Sequence, residues 1–310
     1  MARLDARRTL MHGRQVAVAL GLLLGAASTG AQSRTQLIVL GSGTPIPDPE
    51  RSGPAVVIVV DTVAYLFDAG TGVVRRAVAA AARYGTPALQ APKLRTLFLT
   101  HLHSDHTMGL NDVMFTPWIQ GRTSPLQLYG PPGTARLATS IVDGNSEDIA
   151  ERVASAGGPA ANAGTAQVHE ISDGTVYEDA FVSIRAFSVP HSAWKHAFGY
   201  RIRTPDRVIV ISGDARSNPA IARECNGCDI LVHEVYSDSG FATIPAARQP
   251  YHAQAHTSAT QLGDIATAAR PTLLVLYHQL YFGASDDTLV REVQSRFSGR
   301  VVSAKDLDRF

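Results

Sequence analysis

Three histidines and one aspartate fall within six positions at His101-Leu102-His103-Ser104-Asp105-His106. In an extended or turning segment, His101 and His103 point the same way at period two, and Asp105 and His106 turn toward a second position. That arrangement suits two adjacent metal ions better than one. Neutral imidazole and carboxylate suit zinc, and a cluster without thiolate fits a reactive site that keeps a coordination position open.

Such a cluster needs a rigid frame. The motif follows a short, mostly apolar run, residues 94–99. Strands are expected at 35–40, 55–60, 63–67, 126–129, 167–171, 181–189, 198–202, 208–212, 230–232, 272–276 and 301–304, with a tight turn at Asp61-Thr62. Helices are expected at 73–84, at 109–119 with a break near Pro117, after Gly130-Pro131-Pro132-Gly133, and at 219–224, 255–269 and 287–297. Residues 41–54 are too rich in Gly and Pro for regular structure, and a loop of that length is often functional. No Lys-Ser or Lys-Thr follows its glycines, which excludes a P-loop. Residues 150–166 read as loop or weak helix at the rim of the site, and the stretch after Glu234 as a loop to Gln254. Strands then helices, twice over, fit two sheets packed face to face with helices outside.

The H-x-H-x-D-H run resembles the defining motif of the metallo-β-lactamase fold superfamily, and the resemblance extends along most of the chain. It implies an α/β fold, the four-layer αββα sandwich, as a single domain over residues 32–310. It also implies a ligand set. One metal takes His101, His103, His191 and Asp214; the other takes Asp105, His106, Asp214 and His278, with Asp214 bridging. Asp68 then supports the metal loop from behind by orienting a ligand histidine. Read from the residues alone, Asp68 could instead cap the helix at 73–84, and Asp214 the helix at 219–224. A buried carboxylate at a strand end, as Asp214 would be, costs free energy unless it is paired.

The loop at 41–54 resembles the ribonuclease Z-like branch of the superfamily and the arylsulfatases within it. His233-Glu234 and His256-Thr257-Ser258 resemble the H-E-A-T and H-S-T motifs of ribonuclease Z, in which the glutamate orients the histidine. The histidine then protonates the leaving oxygen or holds the anionic group, roles that fall on Glu234 and His256. The chain departs from both motifs: Val235-Tyr236 replaces Ala-Thr, and Thr257-Ser258 is exchanged. His169, His196, His233 and His252 are expected to be structural or at the rim, while Trp194 and Lys195 beside His191 are expected to shape the pocket.

The chain has 310 residues, 45% of them apolar, enough for one large domain. Arg3, Arg7, Arg8 and Arg14, the apolar run 16–27 and the small residues Thr29-Gly30-Ala31 read as a secretory signal peptide over residues 1–31. Export to the periplasm or medium is expected, with no stable membrane association after cleavage. Removing the leader takes four arginines and one aspartate and leaves 24 basic and 26 acidic residues, a net of −2. No basic run remains, and the long arm by which ribonuclease Z grips tRNA between its third histidine and bridging aspartate has no room between His191 and Asp214. Both features argue against a nucleic-acid partner. The two cysteines, Cys225 and Cys228, lack the second pair a zinc ribbon needs, and an oxidising compartment favours a local disulfide.

The expectation is therefore an exported dizinc hydrolase of small sulfate or phosphate esters, arylsulfatase-like. Two zinc ions sharing a water would make hydroxide available at neutral pH, with Asp105 able to accept a proton. The alternatives are a cyclic-nucleotide phosphodiesterase, a lactonase or β-lactamase, a tRNA 3′ endonuclease, and a non-enzymatic small-anion binding protein. A homodimer is left open.

Overall fold

The computed structural model describes residues 34–310, so the leader at 1–31 lies outside the described residues. Thirteen strands are defined among them. Thr35–Gly41 (β1), Ala55–Val60 (β2), Val63–Phe67 (β3), Thr96–Phe98 (β4), Leu126–Gly130 (β5) and Ala166–Glu170 (β6) form one sheet in chain order. Gly174–Glu178 (β7), Ser183–Ser188 (β8), Phe198–Arg203 (β9), Val208–Ile211 (β10), Ile230–Tyr236 (β11), Leu273–Leu280 (β12) and Val301–Ser303 (β13) form the second. β7 is the strand that the sequence reading misses.

The strands read as unbroken apolar runs because both faces of each sheet are covered. Leu37, Ile58, Phe67 and Phe98 of the first sheet meet Tyr200, Ile211, Val232 and Val275 of the second in one core. The opposite residues of the first sheet, such as Ile38, Val57 and Leu66, pack on Val73, Ala77 and Val113 of helices Val73–Tyr84 and Leu110–Ile119. Those of the second, Val210, Leu231 and Leu274, pack on Ile221, Leu262 and Val293 of helices Pro219–Cys225, Ala259–Ala269 and Asp286–Gln294. The order of layers is helix, sheet, sheet, helix. Among the described residues no helix is long and apolar enough to cross a membrane.

Three local expectations change. The helix Leu110–Ile119 runs unbroken through Pro117. Proline removes the donor that would meet the Val113 carbonyl, and the buried Arg122 guanidinium donates to that oxygen instead at 2.8 Å. Residues 150–166 are the loop and short helix expected, but none of them lines either cavity at the metal centre. They hold part of the helix Ser146–Ala154 and then a turn that covers Trp118, whose indole donates to the Ala160 carbonyl at 2.9 Å. The stretch 237–254 holds two short helices, Asp238–Phe241 and Gln249–Ala255, rather than loop alone. Cys225 and Cys228 form a disulfide at the end of helix Pro219–Cys225.

Candidate metal centre

The strands β8, β10, β11 and β12 run the same way, since β8 and β10 each pair antiparallel with β9 and β10, β11 and β12 are mutually parallel. Their carboxyl ends deliver His191, Asp214, Glu234 and His278, and the end of β4 delivers His101. Ligand sites favour this edge of an α/β sheet because the chain leaves it in loops.

Two backbone devices aim the side chains. Gly213 has φ 60, and a Cβ there would stand 2.7 Å from the Phe198 carbonyl oxygen, so only glycine turns the chain into Asp214. His278 has φ 45, and the β11–β12 register skips it: Glu234 pairs with Tyr277 and Val235 with Gln279. Strict alternation would send His278 to the helical face with Leu274 and Leu276; the bulge re-aims it to 3.2 Å from Asp105 Oδ2.

All seven proposed donors converge. Ligand atoms of His101, His103, His191 and Asp214 lie within 4.8 Å of one another, as do those of Asp105, His106 and His278. Asp214 stands between the groups, with Oδ1 3.4 Å from His106 Nε2, and Oδ2 3.5 Å from His278 Nε2 and 4.0 Å from both His101 Nε2 and His191 Nε2. His101 Nε2 and His191 Nε2 approach His103 Nδ1 at 2.9 and 3.0 Å.

Asp68, at φ 61, accepts from the Thr100 amide at 2.8 Å and the Thr100 hydroxyl at 2.9 Å, and lies 2.9 Å from His106 Nδ1. The capping alternatives fall: helix Val73–Tyr84 starts at Gly72, and helix Pro219–Cys225 is capped by Asn218. The outer contacts fix the tautomers. Asp68 takes the His106 Nδ1 proton, the Thr100 hydroxyl already committed to Asp68 takes that of His101, and the Ala255 carbonyl takes that of His191 at 2.7 Å. Each histidine then turns its Nε2 toward the cluster, the nitrogen a metal ion would take.

The donor set fits a metal ion. His106 Nε2 and Asp214 Oδ1 are buried without a hydrogen-bond partner, a costly state that a cation between them relieves. Burial pushes His101 well below the ordinary imidazole range and His103 down to about 4. Burial opposes charge on His106 as well, but Asp214 and Asp68 outweigh it and hold the ring well above that range.

Beside the cluster, Glu234 is fully buried in β11. Its Oε1 accepts the Thr257 amide at 2.8 Å and its Oε2 lies 3.2 Å from His256 Nδ1. Burial, reinforced by the Asp214 charge, pushes Glu234 well above the usual carboxylate range, and burial pushes His256 down to about 4. Both shifts favour the uncharged form of each group.

His256, Asp105, Asp214 and His278 open onto a cavity of about 500 Å³, which Pro45 and Ile46 of the 41–54 loop also line. Arg248, Tyr251, His252 and Phe282 complete it, residues that the sequence reading misses apart from the rim position of His252. The density of ring and cationic side chains in Arg248-Gln249-Pro250-Tyr251-His252 was the available signal. A second cavity of about 480 Å³ holds Trp194, Lys195 and His196 and shares His103 and Tyr251 with the first. The Trp194 indole donates to His103 Nε2 at 2.6 Å. His169 stacks on Tyr129, and the His233 ring meets the Glu234 carbonyl.

A family described as a beta-lactamase superfamily domain matches residues 64–279. A Ribonuclease Z of Mycobacterium avium is 35% identical over 282 residues, 88% of this chain and 97% of the relative, and one of Mycobacterium marinum is 32% identical over 279 residues with the same coverage. Among solved structures, the metallo-beta-lactamase fold protein YhfI of Bacillus subtilis matches at TM-score 0.65 and 19% identity over 89% of this chain and 99% of that one. The short form of human tRNase Z matches at TM-score 0.64 and 21% identity over 89% and 98%. The chain belongs to the metallo-β-lactamase superfamily. Within it the chain is a hydrolase of the ribonuclease Z-like branch, which acts on ester bonds.

These relatives overturn two expectations. A small sulfate or phosphate ester, arylsulfatase-like, is not what relatives of this identity and coverage are named for, and their name also removes the argument against a nucleic-acid partner. The physical error lay in averaging. Net charge over a whole chain does not say where cations stand, and Lys195 and Arg248 are exposed at the two cavities. A missing arm bears on how distant parts of a substrate are gripped, not on the bond that is cut.

Proposed function

We propose that the chain is a metal-dependent ribonuclease that hydrolyses phosphodiester bonds in RNA, with tRNA precursors as the substrate class. The observation that carries the reading is the buried Glu234–His256 pair beside two intact donor groups in a chain that spans 97% of a Ribonuclease Z. Two zinc ions would be held, one by His101, His103, His191 and Asp214 and one by Asp105, His106, His278 and the shared Asp214. When bound, they supply Lewis acidity and lower the pKa of water toward ~7.

The chain's own groups then divide the proton work. Burial would raise Asp105, but the His278 hydrogen bond and the His106 charge hold it ionised, able to accept a proton beside the cavity. Glu234 fixes the His256 ring through Nδ1 and leaves Nε2 to donate to the leaving oxygen. An arriving phosphate offsets the burial that keeps His256 neutral, because a nearby negative charge favours the protonated ring.

Zinc-loaded protein incubated with a 3′-extended tRNA precursor should cut it at one position. Asp214→Ala should lose metal and all detectable turnover. His256→Ala should keep its metal and lose about 10²- to 10⁴-fold in kcat. A metal-replete wild type that leaves RNA intact overturns the reading.

Residues 1–31 are read independently as an export leader, with the hydrolase domain at 32–310. Cell fractionation with N-terminal sequencing should find a chain starting at Gln32 outside the cytosol; an intact Met1 in the cytosol would sink it.

A further inference from the structure

Among the described residues, the exposed side chains of the Phe, Tyr and Trp set are Trp194 at 37% and Tyr251 at 49%. Both line the second cavity, with Pro131 and Pro132 behind them. Exposed aromatic rings gathered in one place are unusual on a soluble surface and mark a contact for a flat partner. Tyr251 and His103 line the catalytic cavity as well, so the two cavities are neighbouring parts of one groove. Each part carries an exposed cation that enters no ion pair among the described residues, Lys195 in one and Arg248 in the other.

We propose that the second cavity binds an unpaired nucleobase of the RNA strand next to the scissile phosphate, stacked on Trp194 and Tyr251, with Lys195 and Arg248 taking the flanking phosphates. The inference rests on the ribonuclease reading of the metal centre. The chemistry fits the surface: every base has a π-face, aromatic platforms bind single strands with little sequence preference, and cations track the backbone. An extended strand laid across His103 and Tyr251 would put a phosphate over the donor groups and the adjoining base over the rings. A double helix is too wide to place one base in a cavity of about 480 Å³, so the occupant is single-stranded.

The test is a cycle between protein and RNA that reads binding separately from cleavage. A non-cleavable oligonucleotide, with single abasic positions scanned across the scissile linkage, is titrated against metal-loaded wild type, Tyr251→Ala, Tyr251→Phe and Trp194→Phe. One abasic position should weaken wild-type binding by about 5- to 150-fold. The same position should cost Tyr251→Ala markedly less, while the two phenylalanine variants, which keep a ring, should retain most of the wild-type penalty. Equal penalties in wild type and Tyr251→Ala at every position would overturn the proposal even if RNA is cut. Failure to bind the intact oligonucleotide would overturn it as well. Binding with the expected coupling but no hydrolysis of the cleavable RNA would count against the ribonuclease reading alone.

Discussion

Among the described residues, Arg122 and the donor cluster are both buried, and the fold treats them in opposite ways. Arg122, 1% exposed, has every arm of its guanidinium on a backbone carbonyl: Ser124, Val113, Leu94, Met114 and Ala163. Burial lowers it to about 10, so it stays charged at neutral pH without a carboxylate partner. The donor cluster at the strand ends also has ordered outer contacts, yet leaves His106 Nε2 and Asp214 Oδ1 unpaired inside. A closed cage spends its polar groups on the fold. An open one, oriented from outside and unsatisfied within, is built around something that must arrive.

The largest expected effect tests the closed cage. Arg122→Met should lower stability by about 3–5 kcal/mol, because the carbonyls, including the one freed by Pro117, lose their donor in the interior. Denaturant unfolding reads this, and metal content and kcat at low temperature should be unchanged. A loss below about 0.5 kcal/mol would break the contrast.

The next separates a lone orphan from a cluster. His233 Nε2 is also buried and unpaired, and burial lowers the ring to about 4. The folded chain keeps it neutral while the unfolded chain protonates it near 6.5, so stability falls as pH drops from 6.5 toward 4 and falls no further below that. The loss is at most about 3 kcal/mol. In metal-free protein His233→Leu should make this acid limb shallower in Tm measurements by one group's share, the buried His101, His103 and His256 supplying the rest; an unchanged limb assigns the acid sensitivity to the cluster alone.

The smallest sharpens the role of the outer contacts. Asp68→Asn should cost about 10- to 100-fold in metal affinity, equivalent to about 1.4–2.7 kcal/mol, with a rise in kcat/KM losses only as metal is lost. Competition with a chelator checks it, and an unchanged affinity would show that Thr100 and the fold alone hold His106 in place.

The sequence determined what is local. His101 to His106 declared a metal site because spacing within one loop survives any packing, and β1–β3 and the helix Val73–Tyr84 were legible from apolar runs and flanking turns. Asp68 was legible as a position but not as a role, since a helix cap and a histidine support look alike until Thr100 and His106 meet it. The second sheet was harder. Period two alone aims His278 at the helical layer, and only the β11–β12 bulge turns it inward. The groove was least legible: Trp194 and Tyr251 lie on separate segments, and nothing short of tertiary packing puts two exposed rings beside His103. Hydrogen-bond geometry and side-chain period act over a few residues, so a chain displays them openly. Convergence across nearly two hundred residues depends on how two sheets twist and pack, which no local pattern encodes.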